Sequence, residues 1–156
     1  MAVDEAAGQE IVASSLEEAT HAEMRLLYGE ASKAALFAKE RQWKTVGFTV
    51  LIYMLLIAVA EIAPNHVSFV KILAFLSFLV SPMAISMLAI FHFRQLTESQ
   101  KRRAIGDHFS SIFKEIQNLQ SSSEANIHRH VLLAVMIAVV VSGNVITFLL
   151  ISWLYT

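Results

Sequence analysis

Cysteine is absent from this chain, proline occurs twice and glycine five times in 156 residues, and charged residues make up only 16%. Without cysteine there can be no disulfide, thiolate metal site or iron–sulfur cluster. With so few prolines and glycines, long stretches contain nothing that interrupts a helix. Soluble domains carry about 25% charged residues, so the scarcity of charge points away from that class. The net charge of −1 gives no reason to expect nucleic-acid binding. A Gly-rich phosphate loop, a nucleophile elbow and a pair of intramembrane aspartates are also missing, so neither an enzyme nor a bound cofactor is expected.

What the sequence does have is three long apolar runs, 46–63, 67–93 and 131–155. Each is near or above the roughly 20 residues that a helix needs to cross a bilayer. Only Glu61 and Lys71 carry charge between residues 46 and 93, and no charge follows residue 131. The expected class is an all-α membrane protein with three transmembrane helices. The start of the chain has Asp4, Glu5 and Glu10 but no Lys or Arg, unlike the positive n-region of a cleaved signal peptide.

Residues 1–14 read as a polar, disordered start. Ser15 and Glu18 have capping-box spacing, which places a cytoplasmic helix over 15–45 that runs on into the first span. Leu16, Ala19, Leu26, Leu27, Ala31, Ala34, Ala35 and Ala38 form its apolar stripe, interrupted at Glu23. Ala63-Pro-Asn-His66 stops that helix, and so short a link makes the first two spans an antiparallel hairpin. Glu61 and Lys71 flank the turn, free to pair or to snorkel to water. The second span is expected to continue through a cytoplasmic helix over 94–120. There Ile105, Phe109, Ile112, Ile116 and Leu119 follow a coiled-coil spacing of four and three, with Gly106 as the weak point. A linker over 121–130, with Ser121 and Glu124 again at capping-box spacing, leads to the third span. The two cytoplasmic helices should pack as a stalk, either on each other or on a second copy.

Lys and Arg set the orientation. Arg25, Lys33, Lys39, Arg41 and Lys44 precede the first span, and Arg94, Lys101, Arg102, Arg103, Lys114 and Arg129 lie between the second and third. Lys71 alone lies on the other side. The N-terminus and long loop should therefore be cytoplasmic and the C-terminus outside. Trp43, Lys44 and Arg94 fit anchors at the inner interface, and Trp153 and Tyr155 at the outer one.

The polar residues near mid-depth are Tyr53, Ser77, Ser81 and the Ser142-Gly-Asn144 run. Ala134, Ala138 and Ser142 make a small-xxx-small stripe, and Ser77 with Ser81 a second; such stripes let helices approach closely. Asn144 is the costliest of these to bury and is expected to fix the register. The alternative is that Asn144 lines a polar path in an oligomer, since three helices enclose no lumen. The six histidines do not suggest a ligand set: His128 and His130 point apart on a helix, and His92 reads as an interfacial residue. Arg103-Ala-Ile-Gly-Asp-His108 has the R-x4-H spacing of HEPN-type ribonucleases, but Lys101-Arg-Arg103 is equally a polybasic segment drawn to anionic lipid heads.

Leu26-Leu-Tyr-Gly-Glu-Ala31, followed by Lys39-Glu-Arg-Gln-Trp-Lys44 running into a membrane helix, resembles a group of uncharacterised small bacterial helical membrane proteins. More distantly, the architecture over 16–119 resembles the SLATT-type effectors of bacterial antiviral systems. That resemblance implies a bacterial inner-membrane protein that assembles in and permeabilises the bilayer. The third span departs from the two-helix SLATT plan, and no functional residue carries over. The residues themselves favour a scaffold or accessory subunit whose partners are the lipid bilayer and either a second copy or another membrane-complex subunit.

Overall fold

A computed structural model describes residues 17–62, 67–109, 113 and 122–153. They form three helices: α1 (Glu18–Ile62), α2 (Val67–Gly106) and α3 (Ser122–Trp153). All three are long and apolar enough to cross a membrane. Residues 1–14, Ser15, Leu16, Ser121, Ile112, Ile116, Leu119 and Tyr155 lie outside the described residues.

α1 is a single helix of 45 residues, or about 68 Å at 1.5 Å per residue. His21 N–H donates to the Glu17 carbonyl at 2.8 Å, so the helix is entered at Glu17. α2 packs along α1 over the longest stretch, and α3 lies against both. Each helix buries one narrow face. On α1 the buried face runs through Ala31, Ala35, Ala38, Gln42, Val46, Thr49, Tyr53 and Ala60. On α2 it runs through Leu73, Ser77, Ser81, Ala84, Leu88, His92 and Ser99, and on α3 through Met136, Val140, Thr147 and Ile151. These spacings of three and four mark one helical stripe each, the pattern of ridges meeting grooves. The α1 stripe passes Trp43 and Lys44 unbroken, so the charged first half of the helix, here called the stalk, and its apolar second half share one seam.

α2 ends at Gly106, where i→i+3 bonds take over: His108 N–H to the Ile105 carbonyl and Phe109 N–H to the Gly106 carbonyl, both 3.1 Å; of the rest of the helix expected over 94–120, residues 110–112 and 114–120 lie outside the described residues. Glycine weakens a helix through its backbone entropy. Phe109 then packs on α1 against His21 and Tyr28. At the other end, residues 122–130 are helical, so α3 starts well before the apolar run and the proposed linker is mostly helix.

α2 runs straight through Pro82 as a helix. Proline leaves the carbonyl four residues earlier without its N–H donor. Nearby, the Ser86 hydroxyl donates to the Pro82 carbonyl at 2.7 Å. Glu61 and Lys71 are both exposed and form no ion pair with each other.

Candidate functional site: a polar layer between two apolar cores

The apolar side chains form two clusters. One joins Val46, Ala84, Leu88, Met136 and Val140; the other joins Ala60, Leu73 and Ile151. Each draws from all three helices. Between them lies a polar layer in which Tyr53 from α1 meets Ser81 from α2, with Tyr53 hydroxyl and Ser81 Oγ 2.6 Å apart and both residues buried. Hydrocarbon supplies no hydrogen-bond partner, so each hydroxyl needs the other.

α3 closes this layer with an absence. A Cβ on Gly143 would come within 2.9 Å of Tyr53 Cδ2 and 3.0 Å of Cε2. The Tyr53 ring therefore lies directly on the bare backbone of α3 and cannot swing away without losing Ser81. The other hydroxyls of the layer bond within their own helices: Ser77 to the Ala74 carbonyl at 2.9 Å, and Thr147 to the Gly143 carbonyl at 2.8 Å. Such back-bonding satisfies a hydroxyl without linking helices.

The register role expected of Asn144 thus falls to Tyr53, Ser81 and Gly143. Asn144 Oδ1 is buried but has no hydrogen-bond partner among the described residues. It lies in a cleft of about 420 Å³ between α2 and α3, lined also by Ala74, Ser77 and Phe148. Ala134, Ala138 and Ser142 are likewise not the packing stripe of the bundle. All three are exposed, because the face of α3 that meets its neighbours is the one carrying Met136, Val140 and Gly143.

At the stalk end of the first apolar cluster the helices are tied again. His92, buried on α2, and His130 on α3 face each other with Nε2 and Nδ1 3.2 Å apart. One ring donates and the other accepts. His92 is therefore buried in a helix–helix contact. No group of three or more metal-ligating side chains occurs among the described residues. Gln42 Nε2 donates to the Leu88 carbonyl across the α1–α2 seam in a long contact of 3.5 Å.

Of the interface candidates, Trp43 and Trp153 are exposed, Lys44 pairs with Glu40 at 2.6 Å, and Arg94 is exposed. In the stalk, Ile105 is half-buried and borders a groove with Leu27, Glu30 and Ala31. Phe109 and Phe113 pack edge-on against Tyr28, and Phe109 against His21, which makes an aromatic cap at the stalk's far end. Arg103 and His108 fall on either side of the Gly106 break, with Arg103 inside α2 and His108 in the turn that follows.

Tyr53 and Ser81 were visible as polar residues in apolar runs. The roles of Gly143 and of the His92–His130 pair were not, since both depend on the rotation of α3 against its neighbours. No protein-family model, curated protein or solved structure matches the chain.

Proposed function

We propose that this protein is a non-enzymatic scaffold or accessory subunit of a bacterial inner membrane, with its stalk in the cytoplasm and its C-terminus outside. The supporting observation is an apolar surface left uncovered well before the first apolar run. In the stalk α1 buries Ala31, Ala35 and Ala38 against α2, while Leu26 and Leu36 on the far side are 64% and 68% exposed. Leu36 is ten residues before the first apolar run and Leu26 twenty, about 15 and 30 Å along the helix. Apolar side chains held in water at that distance favour a protein partner, and a second copy supplies the same surface. The test is the mass of the detergent-solubilised protein by light scattering. A dimer or larger species that Leu26→Lys with Leu36→Lys reduces to monomer supports self-association; a wild-type monomer that retains no partner from the native membrane sinks the scaffold reading.

A second reading is an oligomeric pore or membrane-disrupting effector, in line with the SLATT resemblance. One feature of α3 favours it: the unpartnered Asn144 Oδ1, which a ring would turn toward a common axis. Ion flux through liposomes carrying the purified protein decides it, and absence of flux excludes the pore.

A further inference from the structure

The cleft between α2 and α3 that holds Asn144 is apolar on its walls and unsatisfied at one point. Phe75 and Phe78 of α2 and Phe148 of α3 line it with exposed rings, and the small side chain of Ala74 leaves room beside them. Asn144 Oδ1 is fully buried there and has no hydrogen-bond partner among the described residues. Ser77, the other polar side chain of the lining, has already given its hydrogen to the Ala74 carbonyl at 2.9 Å and has none for Asn144. Phe78 adds a second acceptor, since its carbonyl is the one that Pro82, four residues on, leaves without an N–H donor. Every residue within nine positions of Asn144 or Ser77 along the chain is described with its side chain. What this cleft lacks is a hydrogen-bond donor, and an acceptor buried without one is costly.

Depth narrows what can bring the donor. Asn144 is near the middle of the 131–155 run and Ser77 near the middle of 67–93, so the cleft lies at mid-depth of a bilayer that α2 and α3 cross. A phospholipid keeps its polar head at the surface, and its acyl tails carry no donor. Water needs about two to four polar partners, which walls of phenylalanine and alanine do not offer. The cleft of about 420 Å³ is within the range of small-molecule sites, about 300–1,000 Å³, and three phenylalanine rings suit an aromatic occupant.

We propose that this cleft binds a lipid-soluble phenol (a quinol included), with its ring among Phe75, Phe78 and Phe148 and its hydroxyl donating to Asn144 Oδ1. Phenol supplies in one group the apolar face that the walls take and the O–H that the amide lacks. The site rests on the membrane placement proposed above but not on the stalk: it stands whether or not Leu26 and Leu36 hold a second copy.

The test titrates isotope-labelled protein in phosphatidylcholine nanodiscs with para-octylphenol and with its methyl ether, which lacks the O–H donor. The NMR signal of the Asn144 side-chain amide and the unfolding temperature are followed. With wild type the phenol should shift that signal and raise the unfolding temperature. It should bind about 3-fold to 18-fold more tightly than the ether, the range expected of one hydrogen bond inside a membrane. Asn144→Leu should bind the two probes equally. Ala74→Leu fills the cleft without touching the amide and should abolish binding of both, which decides the matter even if Asn144→Leu does not fold. Ala134→Leu, on the exposed face of α3, should behave as wild type. Equal affinity of wild type for the two probes, no response to either, or unchanged binding in Ala74→Leu overturns the proposal. So does a wild-type oligomer that Asn144→Leu takes apart, because the amide then belongs to a contact between copies.

Discussion

The apolar section and the stalk of this protein are built along one seam but held by different means. In the apolar section large side chains fill much of the seam, and the helices are tied by Tyr53 with Ser81, by the Tyr53 ring on Gly143 and by His92 with His130. In the stalk the seam is made mostly of alanines; its ion pairs, Lys44 with Glu40 and Lys101 with Glu98, lie within one helix, and the one side-chain hydrogen bond seen across it among the described residues is the long Gln42–Leu88 contact. With the apolar runs in a bilayer, as proposed, the difference follows from the surroundings. Lipid is as apolar as leucine, so helices there associate through close fit and shared hydrogen bonds. Water around the stalk competes for hydrogen bonds, so packing area and partners matter more than polar pairing.

If that contrast holds, the largest losses come from the apolar section. Leu88 is fully buried in the first apolar cluster, and Leu88→Ala should cost about 2–5 kcal/mol in reversible unfolding from detergent or bicelles. Gly143→Ala should cost about 1–3 kcal/mol, since the new Cβ meets a ring that is buried and hydrogen-bonded. Gly47 has nothing within 4 Å of its virtual Cβ, so Gly47→Ala should be neutral or stabilise by up to about 1 kcal/mol. Equal effects at the two glycines would show that Tyr53 does not rest on α3. His130→Ala leaves the His92 ring unpaired and should cost about 1–3 kcal/mol by the same assay. Tyr53→Phe removes one hydroxyl and keeps the ring; a loss of about 0.6 kcal/mol, and no more than about 1.7, is the expected range for a membrane hydrogen bond. Smallest of all is the effect of Leu36→Lys on unfolding, within about 0.5 kcal/mol, because the side chain is exposed. A large loss there would mean that the stalk is held from its outer face.

The long apolar runs and the near absence of charge within them made three helices readable from residues alone. So did the Ala63-Pro-Asn-His66 stop, which gave the order of helices and the hairpin. Periodicity picked out Ala31, Ala35 and Ala38 as a packing stripe on α1. It failed on α3, where Ala134, Ala138 and Ser142 have the right spacing but face outward. Small residues permit close approach without directing it; what turns α3 is the fit of Gly143 to a ring 90 residues earlier in the chain, and spacing within one helix carries no record of that. Asn144 drew attention because an amide is expensive in hydrocarbon, yet the hydroxyls beside it form the contact that links helices. The end of α2 was visible only as a weak point: Gly106 lowers helix stability, but whether the helix yields depends on Phe109 and Phe113 finding Tyr28.

The Tyr53–Gly143 contact also has a meaning in time. Tyr53 and Ser81 belong to the first two helices, so their hydroxyls satisfy each other while α3 is still being synthesised. In the bilayer proposed for it, the hairpin would wait with these two hydroxyls paired and one face of an aromatic ring open to lipid. When α3 arrives, its docking is proofread by that ring. A slip of one turn either way would set Val140 or Thr147 where Gly143 belongs, and either Cβ would collide. One missing methyl group thus lets a helix made last find its only acceptable height against two that were made first.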